Sequence, residues 1–279
     1  MVNSGINKPA LRLMVYSILI VLTILFVFPF FITVSSSLHP LNSLPSILPK
    51  SLDWNNYVLA VTRIDFFHYF YNSIIICVIF VPLTTLSSAL AGFAFARLHA
   101  PGKKVLFLII TSTMMLPGIV TQIPTYILFQ KLNLINTFYP WLLWGIGGSP
   151  FFIFMYKQFF SSIPKELEEA SRMDGCSTFR MYWNIFLPLA TPATWTTAIM
   201  CFQGTWGDFI TPFMFLKESK YPLASALATI GYHLPANPIV VLVEPSSAAA
   251  IIFMIPVIAT FFFGQRYLVD GIVAGSVKG

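Results

Sequence analysis

Six stretches of this chain, 13–38, 69–96, 105–130, 132–156, 181–207 and 245–265, contain no Asp, Glu, Lys or Arg. Crossing the hydrocarbon core of a bilayer takes roughly 20 predominantly apolar residues in a helix, and each stretch is long enough. Charged residues make up only 9% of the chain and hydrophobic ones 57%. A soluble domain carries about 25% charge, so this chain cannot wet its own surface. It is expected to be an all-α integral membrane protein with six spanning helices.

A further stretch, 221–243, also lacks charge but is interrupted by Pro222, Gly231, Pro235, Asn237 and Pro238. Backbone groups freed by such breaks are tolerated at membrane depth only where protein or a water-filled cavity covers them. These residues therefore belong to an irregular, partly buried outer loop, 217–247, open to a re-entrant course, and not to a span.

Basic residues set the orientation. With six spans and an inside N-terminus, the cytoplasmic side holds Lys8, Arg12, Arg97, Lys103, Lys104, Lys157, Lys165, Arg172, Arg180, Arg266 and Lys278. The outer side holds only Lys50, Arg63, Lys131, Lys217 and Lys220. A seventh span would move Arg266 and Lys278 outside and weaken the bias, so both termini are expected in the cytoplasm. The formal charge of +6 then reports topology and an anionic inner leaflet, and no nucleic-acid partner is implied. The first apolar run is longer than the 7–15 residues of a signal-peptide core and lacks a small-residue cleavage site, so it is expected to remain as the first helix. Cys77 and Cys201 fall in spans and Cys176 in a loop, a distribution that suggests neither a disulfide framework nor a metal cluster.

Each predicted span holds a proline, namely Pro29, Pro82, Pro117, Pro150, Pro192 or Pro256, which predicts kinked helices around a changeable cavity. Small residues from Ser87 to Ala96 predict close helix packing on the second span. Ionisable residues are absent from the spans apart from Asp208 at the outer end of the fifth. Ion-driven transporters usually carry such groups as relays or ion sites, so the energy for any transport is expected to enter elsewhere. Amides and hydroxyls remain, and Gln122, Gln203 and Asp208 are the candidate lining of a path for a neutral, hydroxyl-rich solute. The competing expectation for the run from Gln203 to Asp208 is structural, with Gly204 and Gly207 loosening the helix and Trp206 anchored at the interface.

Charge is concentrated instead in residues 161–188, SSIPKELEEASRMDGCSTFRMYWNIFLP, which hold Glu166, Glu168, Glu169 and Asp174 among the ten acidic residues of the chain. Pro164 suits a helix start, the glutamates favour the positive end of the helix dipole, and Glu168 and Arg172 stand four apart for a helical ion pair. Asp174-Gly175 predicts a left-handed helix end, and Ser177 predicts a cap on a second helix. There Phe179, Tyr182, Trp183 and Phe186 recur as one apolar stripe. The small Ala170 and Ser171 leave room for another backbone to approach. Two short helices joined at a glycine are therefore expected at the membrane surface.

The spacing Glu169-Ala170-Ser171, then Gly175, then Ile185, Leu187 and Pro188 strongly resembles the cytoplasmic coupling loop of ABC importer permeases. The likeness extends over the chain, through LPGIVTQIPTYILFQKLNLINT (116–137), TWGDFITPFMFL (205–216) and QRYLVDGIVAGSVKG (265–279), and is greatest to the maltose-type permease subunit of carbohydrate importers. It implies a single importer transmembrane domain over 1–279, with a coupling loop at 161–188 and a cytoplasmic tail at 266–279. It implies that Glu168, Glu169, Ala170, Ser171, Arg172, Asp174, Gly175, Ile185, Leu187 and Pro188 couple to a separate ATPase. The tail residues Gly275, Val277, Lys278 and Gly279 would contact the same ATPases. The implied partners are a second homologous permease, two ATPase subunits that hold the ATP and Mg, and an extracytoplasmic solute-binding protein, with Tyr232 and His233 of the outer loop as its candidate contacts. The chain itself is expected to bind no cofactor and to catalyse nothing, and it has no GxxxxGK[ST] phosphate loop. The alternative is a secondary transporter or channel acting alone. That alternative predicts intramembrane ion ligands or inverted halves, and neither is evident. His39, His68, His99 and His233 are too scattered for an enzyme's ligand set.

Overall fold

Long apolar runs become helices, and prolines and glycines decide where they break. The computed structural model describes residues 9–41, 46–234 and 237–276, with side chains over 12–41, 46–233 and 241–265. Helix α1 (Pro9–Ser37) and the short α2 (Asn55–Thr62) precede the long α3 (Phe66–Arg97). Next come α4 (Lys103–Ser112) with a 3-10 turn at Thr113–Met115, α5 (Gly118–Lys131), α6 (Tyr139–Gly147) and α7 (Pro150–Ser162). The charged α8 (Lys165–Met173) is followed by α9 (Thr178–Met181), a π-helical turn (Tyr182–Phe186) and α10 (Leu187–Leu189), which run on as one helix. Then come α11 (Thr191–Gly207), α12 (Ile210–Phe215), α13 (Leu223–Thr229) and α14 (Val243–Ser276). Strands β1 (His233–Leu234) and β2 (Asn237–Val241) pair antiparallel ahead of α14, with His233 opposite Val241 and Leu234 opposite Asn237. The fold is thus a helical membrane fold with one short ladder.

Charge-free length predicts six spans, and the structure shows how far the chain in each stretch is continuous. Among the described residues, Arg12–Ser37, Phe66–Arg97 and Val243–Gln265 are long and apolar enough to cross a membrane unbroken. Two further apolar helix pairs are bent, Lys103–Met115 with Gly118–Lys131 by 105°, and Thr178–Leu189 with Thr191–Gly207 by 77°. Pro117 and Pro192 sit at these bends, where a ring without an N–H suits a first helical turn and not a continuation. Residues 132–156 form no single rod. Asn133 and Asn136 have φ of 56° and 60°, which keeps the start of that stretch in a loop, and Gly148, with φ 71°, separates α6 from α7. Helix breaks therefore do not follow every proline, because Pro29, Pro82 and Pro256 lie inside continuous helices.

The chain forms two compact units. One takes in the described residues of Met1–Phe66 and Ile230–Met254. There the buried Asn56 amide donates to the carbonyls of Ser37 at 3.0 Å and His39 at 2.7 Å, tying α2 to the end of α1. The Tyr232 hydroxyl donates to the Ala60 carbonyl at 2.6 Å. Over residues 12–34 of α1 no side chain is buried, so its apolar side chains are left for lipid or another chain.

The other unit takes in Phe67–Thr229 and the described residues of Ile255–Gly279. Its core joins α3, α7 and the helix after α8 through Ala89, Phe93, Tyr156, Phe160, Met181, Tyr182, Phe186, Ala190 and Ala193. Small residues on α3 allow this approach. A Cβ added at Gly92 would lie 2.5 Å from Tyr156 Cβ and 3.0 Å from the Lys157 backbone nitrogen, and Ser88 Oγ accepts the Ser149 N–H at 3.0 Å. Trp206 is buried, stacked on Phe202 with 5.5 Å between ring centres and edge-on to Phe70 at 5.4 Å. It is a packing residue, which corrects its expected place as an interface anchor.

Candidate functional site

The charged loop is built on the broken end of α7. A helical carbonyl at 160 looks for its donor four residues on, where Pro164 has no N–H. The Phe160 carbonyl accepts the Ile163 N–H at 3.4 Å and also the Nε–H of Arg97 at 3.1 Å, and Arg97 Nη2 donates to the carbonyls of both Phe160 and Ile163. A cation at a helix C-terminus also complements the dipole. Pro164 then directs the chain into α8 with φ −55° and ψ 144°.

On α8, Glu168 faces inward with a 15% exposed side chain. Its Oε1 accepts Arg172 Nη2 at 3.0 Å, and its Oε2 lies 3.5 Å from Arg97 Nη1. The expected ion pair four residues apart is present, and a second, remote arginine completes it. Glu166, Glu169 and Ala170 face out, whereas Ser171 is buried and donates to the Leu167 carbonyl at 2.6 Å. Ala170 alone therefore offers the small exposed side expected of the Ala170-Ser171 pair.

The turn after α8 is a Schellman closure. Cys176 N–H donates to the Ser171 carbonyl at 3.0 Å and Gly175 N–H to Arg172 at 3.1 Å, the two bonds that satisfy a helix's last carbonyls. Gly175 has φ 77°, in the left-handed region open to glycine. Ser177 Oγ accepts the Arg180 N–H at 3.3 Å and caps α9.

The apolar stripe predicted for the second helix is split. Tyr182 and Phe186 are buried beside Met181, while Phe179 and Trp183 are 68% and 51% exposed and stack with rings 11° from parallel. The helix carries one aromatic pair into the core and shows the other outside. Ile185 and Leu187 are half-buried against the core, and Pro188 is exposed. With Met173, 84% exposed, the outer face reads Glu169, Ala170, Met173, Asp174, Gly175, Phe179 and Trp183. Met173 carried no sequence signal beyond an apolar residue in a polar helix. Arg97 was legible only as one of the inside charges.

Of the candidate path residues, two meet. Gln122 Nε2 donates to Thr211 Oγ1 at 3.3 Å, and Asp208 Oδ1 accepts the Thr211 N–H at 3.1 Å, capping α12. Gln203 is half-buried on α11 and does not join them. Tyr232 is buried, and burial pushes its phenol above the ordinary value by disfavouring the charged form. Its side chain is an internal anchor and presents nothing to a partner, which corrects its candidacy as a contact. His233 is exposed. Gly275 lies at the end of α14 with only its backbone described, and Val277, Lys278 and Gly279 lie outside the described residues. Among the described residues no three of His, Cys, Asp and Glu gather as a metal site.

Several long apolar helices, two bent apolar pairs and a capped, charged helix pair define a helical membrane protein. Residues 88–273 match the family of binding-protein-dependent transport system inner membrane components, and the chain belongs to that family. It is 30% identical over 233 residues to the arabinooligosaccharides transport system permease protein AraQ of Halalkalibacterium halodurans, covering 83% of this chain and 81% of the relative. It is 30% identical to the maltodextrin transport system permease protein MalD of Streptococcus pneumoniae, covering 95% of this chain and 94% of the relative. The fold matches a chain in the crystal structure of a bacterial ABC transporter involved in the import of the acidic polysaccharide alginate, with a TM-score of 0.80 and 21% identity over 95% of this chain and 99% of that one.

Proposed function

We propose that this chain is a translocation subunit of an ATP-driven importer that takes up a sugar or oligosaccharide handed over by an extracytoplasmic binding protein. The relatives named for arabinooligosaccharide and maltodextrin transport support the solute class. The observation that carries the coupling role is the helix–glycine–helix loop, which shows Glu169, Ala170 and Gly175 to the outside while Glu168 and Ser171 hold it from within. In this arrangement two separate ATPases bind ATP and Mg and dock on 161–188, and a second permease chain covers the exposed face of α1. ATP-driven closure draws the coupling loops together and turns the cavity outward. Gln122 and Asp208, joined through Thr211, line the solute path beside the 105° break, where carbonyls without helical partners need a polar surrounding. The outer loop 217–247, through His233, meets the binding protein, and the tail from Gly275 to Gly279 meets the ATPases.

Six spans with both termini and the charged loop in the cytoplasm complete the arrangement. Single cysteines at Asp174 and Lys217 in a cysteine-free background test it. A membrane-impermeant thiol reagent should label position 174 only in inside-out vesicles and position 217 only in right-side-out ones. The opposite pattern would refute the orientation. Uptake in proteoliposomes that contain the whole importer should require ATP inside and the loaded binding protein outside, and uptake by this chain alone would restore the secondary-transporter alternative. Removing 275–279 should leave assembly intact and lower stimulated ATP turnover, and unchanged turnover would reduce the tail to a plain chain end.

A further inference from the structure

Arg97 is the last residue of α3, and its side chain is only 5% exposed. A buried cation is costly unless it is paired and hydrogen-bonded, so its partners show what it is for. Nε and Nη2 hold the carbonyls of Phe160 and Ile163 at the end of α7. Nη1 lies 3.5 Å from Glu168 on α8, and Cζ sits 5.0 Å from the ring centre of Phe186 in the helix beyond Gly175. From the end of α3, one guanidinium therefore touches three further helical segments. Between α7 and α8 the helix is interrupted at Pro164, so across that joint a push on α8 reaches the membrane helices through side chains or is absorbed there.

We propose that Arg97 is the positioning residue that makes the charged loop move as one body with α3 and α7, passing displacement of α8 into the membrane helices. This rests on 161–188 being the ATPase dock. The planar fork of arginine reaches two carbonyls and a carboxylate while its face lies on an aromatic ring, and a lysine ammonium, as a single point charge, matches only part of that set. Glu168 serves as the loop's half of the link and is held in place by Arg172.

The test uses the complete importer, reconstituted with its ATPases and binding protein, and measures solute moved per ATP hydrolysed together with the ATPase retained on purification. Arg97→Gln should keep its ATPases and lose about tenfold in solute per ATP, equivalent to about 1.4 kcal/mol. Arg97→Lys should fall between that variant and the wild type. Glu168→Gln leaves both carbonyl bonds in place and should lose less than Arg97→Gln. A change that only weakens the fold lowers the amount of complex and leaves solute per ATP untouched. Wild-type solute per ATP in Arg97→Gln overturns the proposal, as it does in Arg97→Lys should the glutamine variant not accumulate. Loss of the ATPases from Arg97→Gln also overturns it, because Arg97 would then shape the dock itself. The dock is tested apart, by Gly175→Val: full coupling there refutes the docking role of the loop and not the wiring of Arg97.

Discussion

Replacing Gly175 with alanine isolates the conformational requirement of the charged loop. The residue has φ 77°, and a Cβ added there meets nothing within 4 Å, so the penalty is confined to the backbone. Left-handed geometry costs an L-residue roughly 1–2 kcal/mol, which is about 5- to 30-fold in the population of the closed turn. The bonds at risk are Gly175 to Arg172 at 3.1 Å and Cys176 to Ser171 at 3.0 Å. Asparagine visits this region readily and serves as the control, because it adds more bulk than alanine with less backbone strain. Solute transport per ATP in the reconstituted importer should therefore rank glycine, then asparagine, then alanine, with valine last. Hydrogen exchange at the amides of 175 and 176 should accelerate in the same order. A ranking by side-chain size, with asparagine below alanine, would show that the site rejects bulk at a docking surface and that φ is not the controlling quantity.

Gly92→Ala should perturb the α3–α7 contact, because its Cβ would fall 2.5 Å from Tyr156 Cβ and 3.0 Å from the Lys157 nitrogen. Overpacking of this kind costs about 1–3 kcal/mol, and an unchanged melting temperature of the purified complex would contradict the close approach of the two helices. Tyr232→Phe should lower thermal stability by about 1 kcal/mol through loss of the Ala60 bond, with little change in binding-protein affinity. A large loss of that affinity at unchanged stability would return Tyr232 to the partner surface. Gln122→Ala should raise the KM for the transported solute and leave ATPase retention unchanged, and an unaltered KM would remove Gln122 from the path.

What was legible in the sequence was local. The ends of α8 follow from Pro164 and Gly175, its internal pair from Glu168 and Arg172 at helical spacing, and the next helix start from Ser177, each within five residues of its partner. The remote contacts were not legible. Arg97 bonds to carbonyls 63 and 66 residues away, and backbone acceptors leave no mark on side-chain patterning beyond the proline that denies one of them its donor four residues on. Periodicity placed four aromatics on one stripe, but it could not tell which of them the core would take. Charge-free length likewise located apolar chain without showing where it bends, because Pro82 and Pro117 look alike in sequence. Pro82 continues α3, whereas Pro117 marks a 105° turn. Tertiary packing decides between those outcomes.

The central claim is that the exposed face of α8 is where an ATPase docks. Its most direct measurement is site-specific crosslinking from a photoreactive residue at Ala170, which is exposed, compared with one at Pro188 at the far end of the loop and one at His233 in the outer loop. In the assembled importer, position 170 should crosslink to the ATPase in high yield and change its yield when ATP binds, while position 233 should give no ATPase product. Absence of any ATPase crosslink from position 170 in a complex that still hydrolyses ATP and transports would contradict the account.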